Sequence, residues 1–251
     1  RHEIHVARKS ISGSASISFD VVADINTLEL NFDGHYDIAR IESAGHALSF
    51  RQTPSKLFID LPAVMRQGER GAVTVHYAGK PVEAANPPWD GGFTWAETPS
   101  GKPWIATSFQ GEGCDIWWPC KDHPSDEPNG VDLYITVPAD LTVAANGVLL
   151  DVKDEPGNRK TFHWQTNIAT NLYGIALNIA PYVLIESRYQ SSNGTTIPVV
   201  FYAIEDHEEK ARALFEREMH KTIEFFERRI GPYPWGHEKL GIAETPHLGM
   251  E

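Results

Sequence analysis

The sequence predicts a mainly β protein that closes on one long amphipathic helix and a short strand. Apolar and polar residues alternate through most of the chain, and turn residues punctuate the alternating runs. A single stretch after residue 205 switches to a helical period. The chain has 251 residues, of which 41% are hydrophobic and 22% charged, the composition of an ordinary globular protein. At this length folding buries roughly 70–75% of the unfolded chain's surface, enough for a core that needs no staples.

Taken in order, Ala15, Ile17, Phe19 and Val21 alternate with Ser14, Ser16, Ser18 and Asp20. This is the two-residue period of a strand with one buried face. Leu28, Leu30 and Phe32 repeat it, as do Val73, Val75 and Tyr77, and later Leu133, Ile135 and Val137. Such half-buried strands read as antiparallel. Gly34, Gly45, Gly68, Asn146-Gly147, Pro156-Gly157 and Asn193-Gly194 mark the turns. The last pair predicts a tight hairpin between 182–190 and 195–202, and Pro198 predicts an edge position for its second strand.

From Asp206 the apolar positions Ala211, Phe215, Met219, Ile223, Phe226 and Ile230 step by three or four, one face of a helix. Asp206 is placed to cap it, with Glu209 completing a capping box, and Gly231-Pro232 stops it. Glu208–Arg212 and Glu224–Arg228 are spaced for ion pairs on the wet side. An amphipathic helix needs a cover, so it either packs back on the sheets or opens a second domain that residues 205–251 do not finish.

The net charge of −12 repels phosphate backbones and anionic lipid, which argues against nucleic acid and membrane surfaces as partners. The most apolar long stretch, Tyr173 to Ile185, is too short to span a bilayer, so no membrane segment is expected. The sequence opens on Arg1 rather than Met with no signal segment after it, as in a piece or a processed product. Cys114 and Cys120 match no common zinc spacing and fit either two packed thiols or one disulfide.

The search for chemistry returns near misses. A His-Glu-x-x-His zinc helix is approached by His2-Glu3-Ile4-His5, His207-Glu208 and His237-Glu238, and each lacks the second histidine at its place. No nucleophile elbow and no phosphate loop is present, so no catalytic residue and no metal ligand is assigned. Five of the seven tryptophans, Trp89, Trp95, Trp104, Trp117 and Trp118, fall within thirty residues. They fit a cleft for sugar rings or peptides, or plain packing between sheets.

Ordered motifs supply a stronger signal. Thr107-Ser108-Phe109-Gln110 leads to Trp118-Pro119-Cys120-Lys121-Asp122-His123-Pro124. Val137-Pro138 is followed by Ala145-Asn146-Gly147, and the chain ends on Leu248-Gly249-Met250-Glu251. This set, with Gly13 to Phe19 at the start, resembles the aminopeptidase N family of gluzincin zinc metallopeptidases, which includes the leukotriene-hydrolase branch. The resemblance implies a saddle-like antiparallel β-sandwich as N-terminal domain, residues 1–204. Residues 205–251 would be the truncated beginning of a thermolysin-like catalytic domain, contributing one long helix and a short strand.

It implies further that zinc serves the full-length enzyme through ligands beyond Glu251, and that this chain alone is inactive. The missing C-terminal catalytic domain and the N-terminus of a peptide substrate are the implied partners. The implied substrate-binding residues are Gln110, Gly249, Met250 and Glu251, with Gln110 and Glu251 facing the α-ammonium, whose protons suit charge-assisted hydrogen bonds. The alternative is a non-enzymatic β-sandwich module that binds peptide or carbohydrate through the tryptophan cluster.

Overall fold

The computed structural model describes residues 1–248. The site assignments on Gly249, Met250 and Glu251 lie outside the described residues. The mainly β architecture predicted from the alternation is present, with strands in four sheets and one long helix.

The largest sheet runs, in spatial order, Val148–Glu155, Arg159–Thr166, Val131–Pro138, His2–His5, Ser10–Asp20, Arg70–Gly79, Asp37–Ser43 and His46–Ala47. A four-stranded sheet orders Thr142–Ala145, Leu177–Ala180, Pro103–Ser108 and Gly92–Glu97. Two three-stranded sheets complete the set: Ile25–Asn31, Lys56–Met65 and Phe50–Gln52, then Tyr182–Gln190, Thr196–Ile204 and Leu240–Ala243. All four sheets feed one core, where Val75, Leu57, Ile105 and Ile204 are buried together. Each such side chain contributes roughly 1.5–3 kcal/mol by leaving water.

Pairing is antiparallel with two exceptions. His2–His5 runs parallel to Val131–Pro138, and Thr196–Ile204 runs parallel to Leu240–Ala243. The second exception has a plain cause. Parallel neighbours need a crossover, and the helix Glu208–Ile230 provides it, making a strand–helix–strand unit.

Pro198 therefore does not mark an edge, because its strand is the central one of its sheet. The ring is tolerated because the parallel partner pairs only with Val199 to Tyr202, leaving the Pro198 nitrogen outside that ladder. This strand is buried on both sides. Val200, Tyr202 and Ile204 face the main core, while Ile197, Val199 and Ala203 face the helix with Ala211, Phe215 and Ile223.

Two local expectations change. Asp206 is no N-cap: it lies in a short 3-10 turn, Glu205–His207, and its carboxylate accepts from Ser100 Oγ at 2.9 Å. His207 takes the N-cap position with no side-chain cap bond. The Asn193-Gly194 hairpin forms, but as a wider loop in which only Gly194 adopts positive φ, at 89°. Ser191 sets that width, since its N–H donates to Thr195 O and its hydroxyl is drawn to Glu227 on the helix.

Candidate functional site

Gln110 follows the end of strand Pro103–Ser108, at the start of a segment that runs to Asp122. Its predecessor Phe109 is buried and stacks on Trp117, with ring centroids 5.5 Å apart. Two buried tyrosines hold the segment from below. Tyr36 donates to Ile116 O at 2.9 Å, and Tyr77 donates to Trp117 O at 2.7 Å.

Because Tyr77 gives its one proton to Trp117, it accepts from Nε2–H of His2 at 2.5 Å. That fixes the His2 tautomer and leaves Nδ1 bare and unpartnered. Burial then holds His2 well below the usual imidazole range, so it stays neutral.

Cys114 and Cys120 form a disulfide, which settles the alternative left open by the spacing. Cys120 also exchanges backbone hydrogen bonds with Asn31, and Asp33 N–H donates to Asp115 O at 3.0 Å. The segment is thus tied to residues 31–33 at its middle and near its C-terminal end. Within it, Asp115 Oδ1 is buried without a partner. Burial, helped by the negative charges of Asp122 and Asp33, raises its carboxyl to about 6.

Gln110 is half-buried, and its Oε1 is buried without a hydrogen-bond partner. Amide oxygen and nitrogen are told apart only by their partners, so the same plane, turned over, presents an acceptor outward. Strand Pro103–Ser108 also reaches the tail that leads to Glu251. Trp104 Nε1 donates to Glu244 O at 3.2 Å, and Tyr182 OH donates to the same oxygen at 2.7 Å. The Glu244 carboxylate accepts from Ile204 N–H at 3.1 Å and pairs with His207.

Just upstream, Lys239 Nζ donates to Ala145 O at 2.9 Å and to Gly147 O, and lies 4.5 Å from the Trp164 ring centre. Glu238 accepts from Thr166 Oγ1 and Asn167 N–H. Sequence reading missed these docking contacts, because nothing local marks a lysine that caps a turn some ninety residues away.

The tryptophan cluster resolves mostly into packing. Trp117 and Trp104 are buried, and Trp95 and Trp118 are half-buried against the main core. Trp89 is the exception, 59% exposed. The histidine–glutamate near misses do not converge: His2 is engaged with Tyr77, His207 with Glu244, and Glu238 with Thr166. Among the described residues the only close metal-ligand grouping is Cys114, Cys120 and Asp122. Its two sulfurs are bonded to each other, so no thiolate is free, and the described residues do not fit a zinc ion.

The Peptidase M1 N-terminal domain family matches residues 1–173. The chain belongs to this family. Solved structures agree in fold. The M1 zinc metallopeptidase from Deinococcus radiodurans superposes with a TM-score of 0.75 at 20% identity, over 96% of this chain and 53% of that one. A mutant of it bound to a Tyr-Ser-Ala substrate gives 0.75 at 21% identity, over 96% and 54%. A mutant two-domain M1 zinc metallopeptidase bound to L-tryptophan gives the same figures. The chain therefore spans about half the length of these proteins. No curated protein matches the sequence significantly.

Proposed function

We propose that this chain is the substrate-gripping half of a zinc-dependent aminopeptidase that removes N-terminal residues from peptides. The observation that carries the reading is the family match over residues 1–173 in a chain that spans about half of similarly folded zinc metallopeptidases. Residues 1–204 form the N-terminal β domain, and 205–251 open the catalytic domain.

In this reading Gln110, with its acceptor turned outward, takes one proton of the substrate's α-ammonium, and Glu251 takes another beside Gly249 and Met250. Two fixed acceptors on one ammonium set the distance from the N-terminus to the bond that is cut. The Tyr36 and Tyr77 phenols and the disulfide keep the Gln110 segment from shifting, while Trp104 ties its strand to the tail that carries Glu251. Zinc is held by ligands beyond Glu251.

The competing reading, a binding module built on a tryptophan platform, loses support because Trp104 and Trp117 are buried and Trp95 and Trp118 are half-buried against the main core. The test is release of p-nitroaniline from amino-acid p-nitroanilides with zinc added. These 251 residues are expected to give no turnover, and the polypeptide continued through its following codons is expected to give it. Zinc-dependent turnover by residues 1–251 alone contradicts the proposal.

A further inference from the structure

Trp89 is the one clustered tryptophan that packing does not use, and its surroundings are built rather than loose. Gly92 pairs with Ser108 across the sheet, so the segment before Gly92 and the segment after Ser108 leave the same end of that strand pair. Trp89 stands three residues before the first, and Gln110 two residues after the second.

The Trp89 loop is closed at its base by Ala84 N–H to Phe93 O at 3.0 Å and Phe93 N–H to Val82 O at 2.8 Å. At its tip, Trp89 N–H and Asp90 N–H both donate to Asn86 O. A Cβ at Gly91 would overlap the Ser108 carbonyl and lie 3.1 Å from Glu112 Cγ. Glycine is therefore what lets the loop lie flat on the Ser108–Glu112 turn with the Glu112 side chain beside it.

The field here is strongly negative. Between Pro81 and Asn129 there are eight carboxylates and two lysines, half of the chain's net charge in about a fifth of its length. Glu83 is paired with Lys9 and Asp126 with Lys121, whereas Asp90 and Glu112 are exposed and have no cationic partner among the described residues. An exposed indole face alone suits any apolar group. An indole followed in the chain by the unneutralised Asp90, with the unneutralised Glu112 packed against Gly91 of the same loop, suits a cation, above all a guanidinium, which can stack and ion-pair at once.

We infer that Trp89, Asp90 and Glu112 form a peptide subsite for a lysine or arginine side chain, beside the Gln110 amine contact. Its role in substrate selection rests on the proposed aminopeptidase reading. Binding itself is measurable on this chain. The chain labelled with 5-fluorotryptophan is titrated with Ala-Ala-Arg-amide and followed by fluorine NMR, with Trp89→Phe identifying the Trp89 resonance.

The expected result is a saturable Trp89 shift with Ala-Ala-Arg-amide, at least tenfold weaker binding of Ala-Ala-Leu-amide, and loss of the shift in Asp90→Asn/Glu112→Gln. Equal binding of the leucine peptide, a shift that survives in the double variant, or no shift overturns the inference. So does a Trp89 shift that grows with protein concentration in the absence of peptide, which would make a second copy the occupant. Nα-acetylation separates the two readings. A Trp89 shift with unchanged affinity for the acetylated arginine peptide keeps the subsite and removes the Gln110 amine contact.

Discussion

Along the Glu208–Ile230 helix the early turns bury Ala211 and Phe215, whereas the last turns leave Phe225, Phe226 and Ile230 at 56%, 54% and 81% exposure. Phe226 and Ile230 belong to the same apolar stripe as the buried residues, so sequence alone does not separate the two ends. The sheet beneath does. Early on, the helix rests on Ile197, Val199 and Ala203, but by Glu227 it has reached the hairpin tip and is held by polar contacts from Tyr189, Ser191 and Ser192. The contrast teaches that the stripe is longer than the surface these residues provide. In the β body every sheet contributes to one core, and apolar exposure gathers on the edge strand Val148–Glu155, where Val148, Leu149, Leu150 and Val152 are exposed.

This contrast sets an order of expected effects. Trp117→Ala empties a wholly buried site on which Phe109 stacks, and costs about 4–5 kcal/mol in urea unfolding. Phe215→Ala, in the smaller core under the helix, costs about 3 kcal/mol. Phe226→Ala, on the same stripe but exposed, changes stability by less than about 0.5 kcal/mol in this chain. Equal losses at Phe215 and Phe226 would erase the distinction between the two ends of the helix.

A pH effect comes next. The folded protein holds the Asp115 carboxyl at about 6 against an ordinary 3.8, so between those values it binds more protons than the unfolded chain. Stability therefore falls as pH rises through that window. Asp115→Asn removes the penalty, and its unfolding midpoint lies above that of the parent at pH 7 and converges on it below pH 4. A variant less stable than the parent at pH 7 would show that Asp115 is not an uncompensated charge. The smallest effect is at the exposed Glu224–Arg228 pair, where Glu224→Gln costs less than about 0.5 kcal/mol and less still in high salt.

Much of the fold was legible because burial on one face writes itself as alternation. Val73, Val75 and Tyr77 were assigned to a core and are in it. Partner choice was not legible: alternation favours antiparallel neighbours but does not name them, and Val131–Pro138, which alternates, has one parallel neighbour. Hence the parallel Leu240–Ala243 pairing and the central position of the Pro198 strand escaped the reading. Asp206 has the local features of a cap, and a serine far away in sequence, Ser100, engages it instead.

At the candidate site, Gln110 could be proposed from its motif. Asp115 could not, since its raised carboxyl arises from burial and from Asp122 and Asp33, which the fold brings beside it. Trp89 was singled out only as one of five, and exposure alone distinguishes it.

Under the proposed function the grip and the metal reside in different parts of one polypeptide. Metal analysis after equilibrium dialysis against zinc tests it most directly, comparing residues 1–251 with the chain extended through its following codons. One zinc per extended chain and none held by residues 1–251 is the expected result. One zinc retained by residues 1–251 would contradict it.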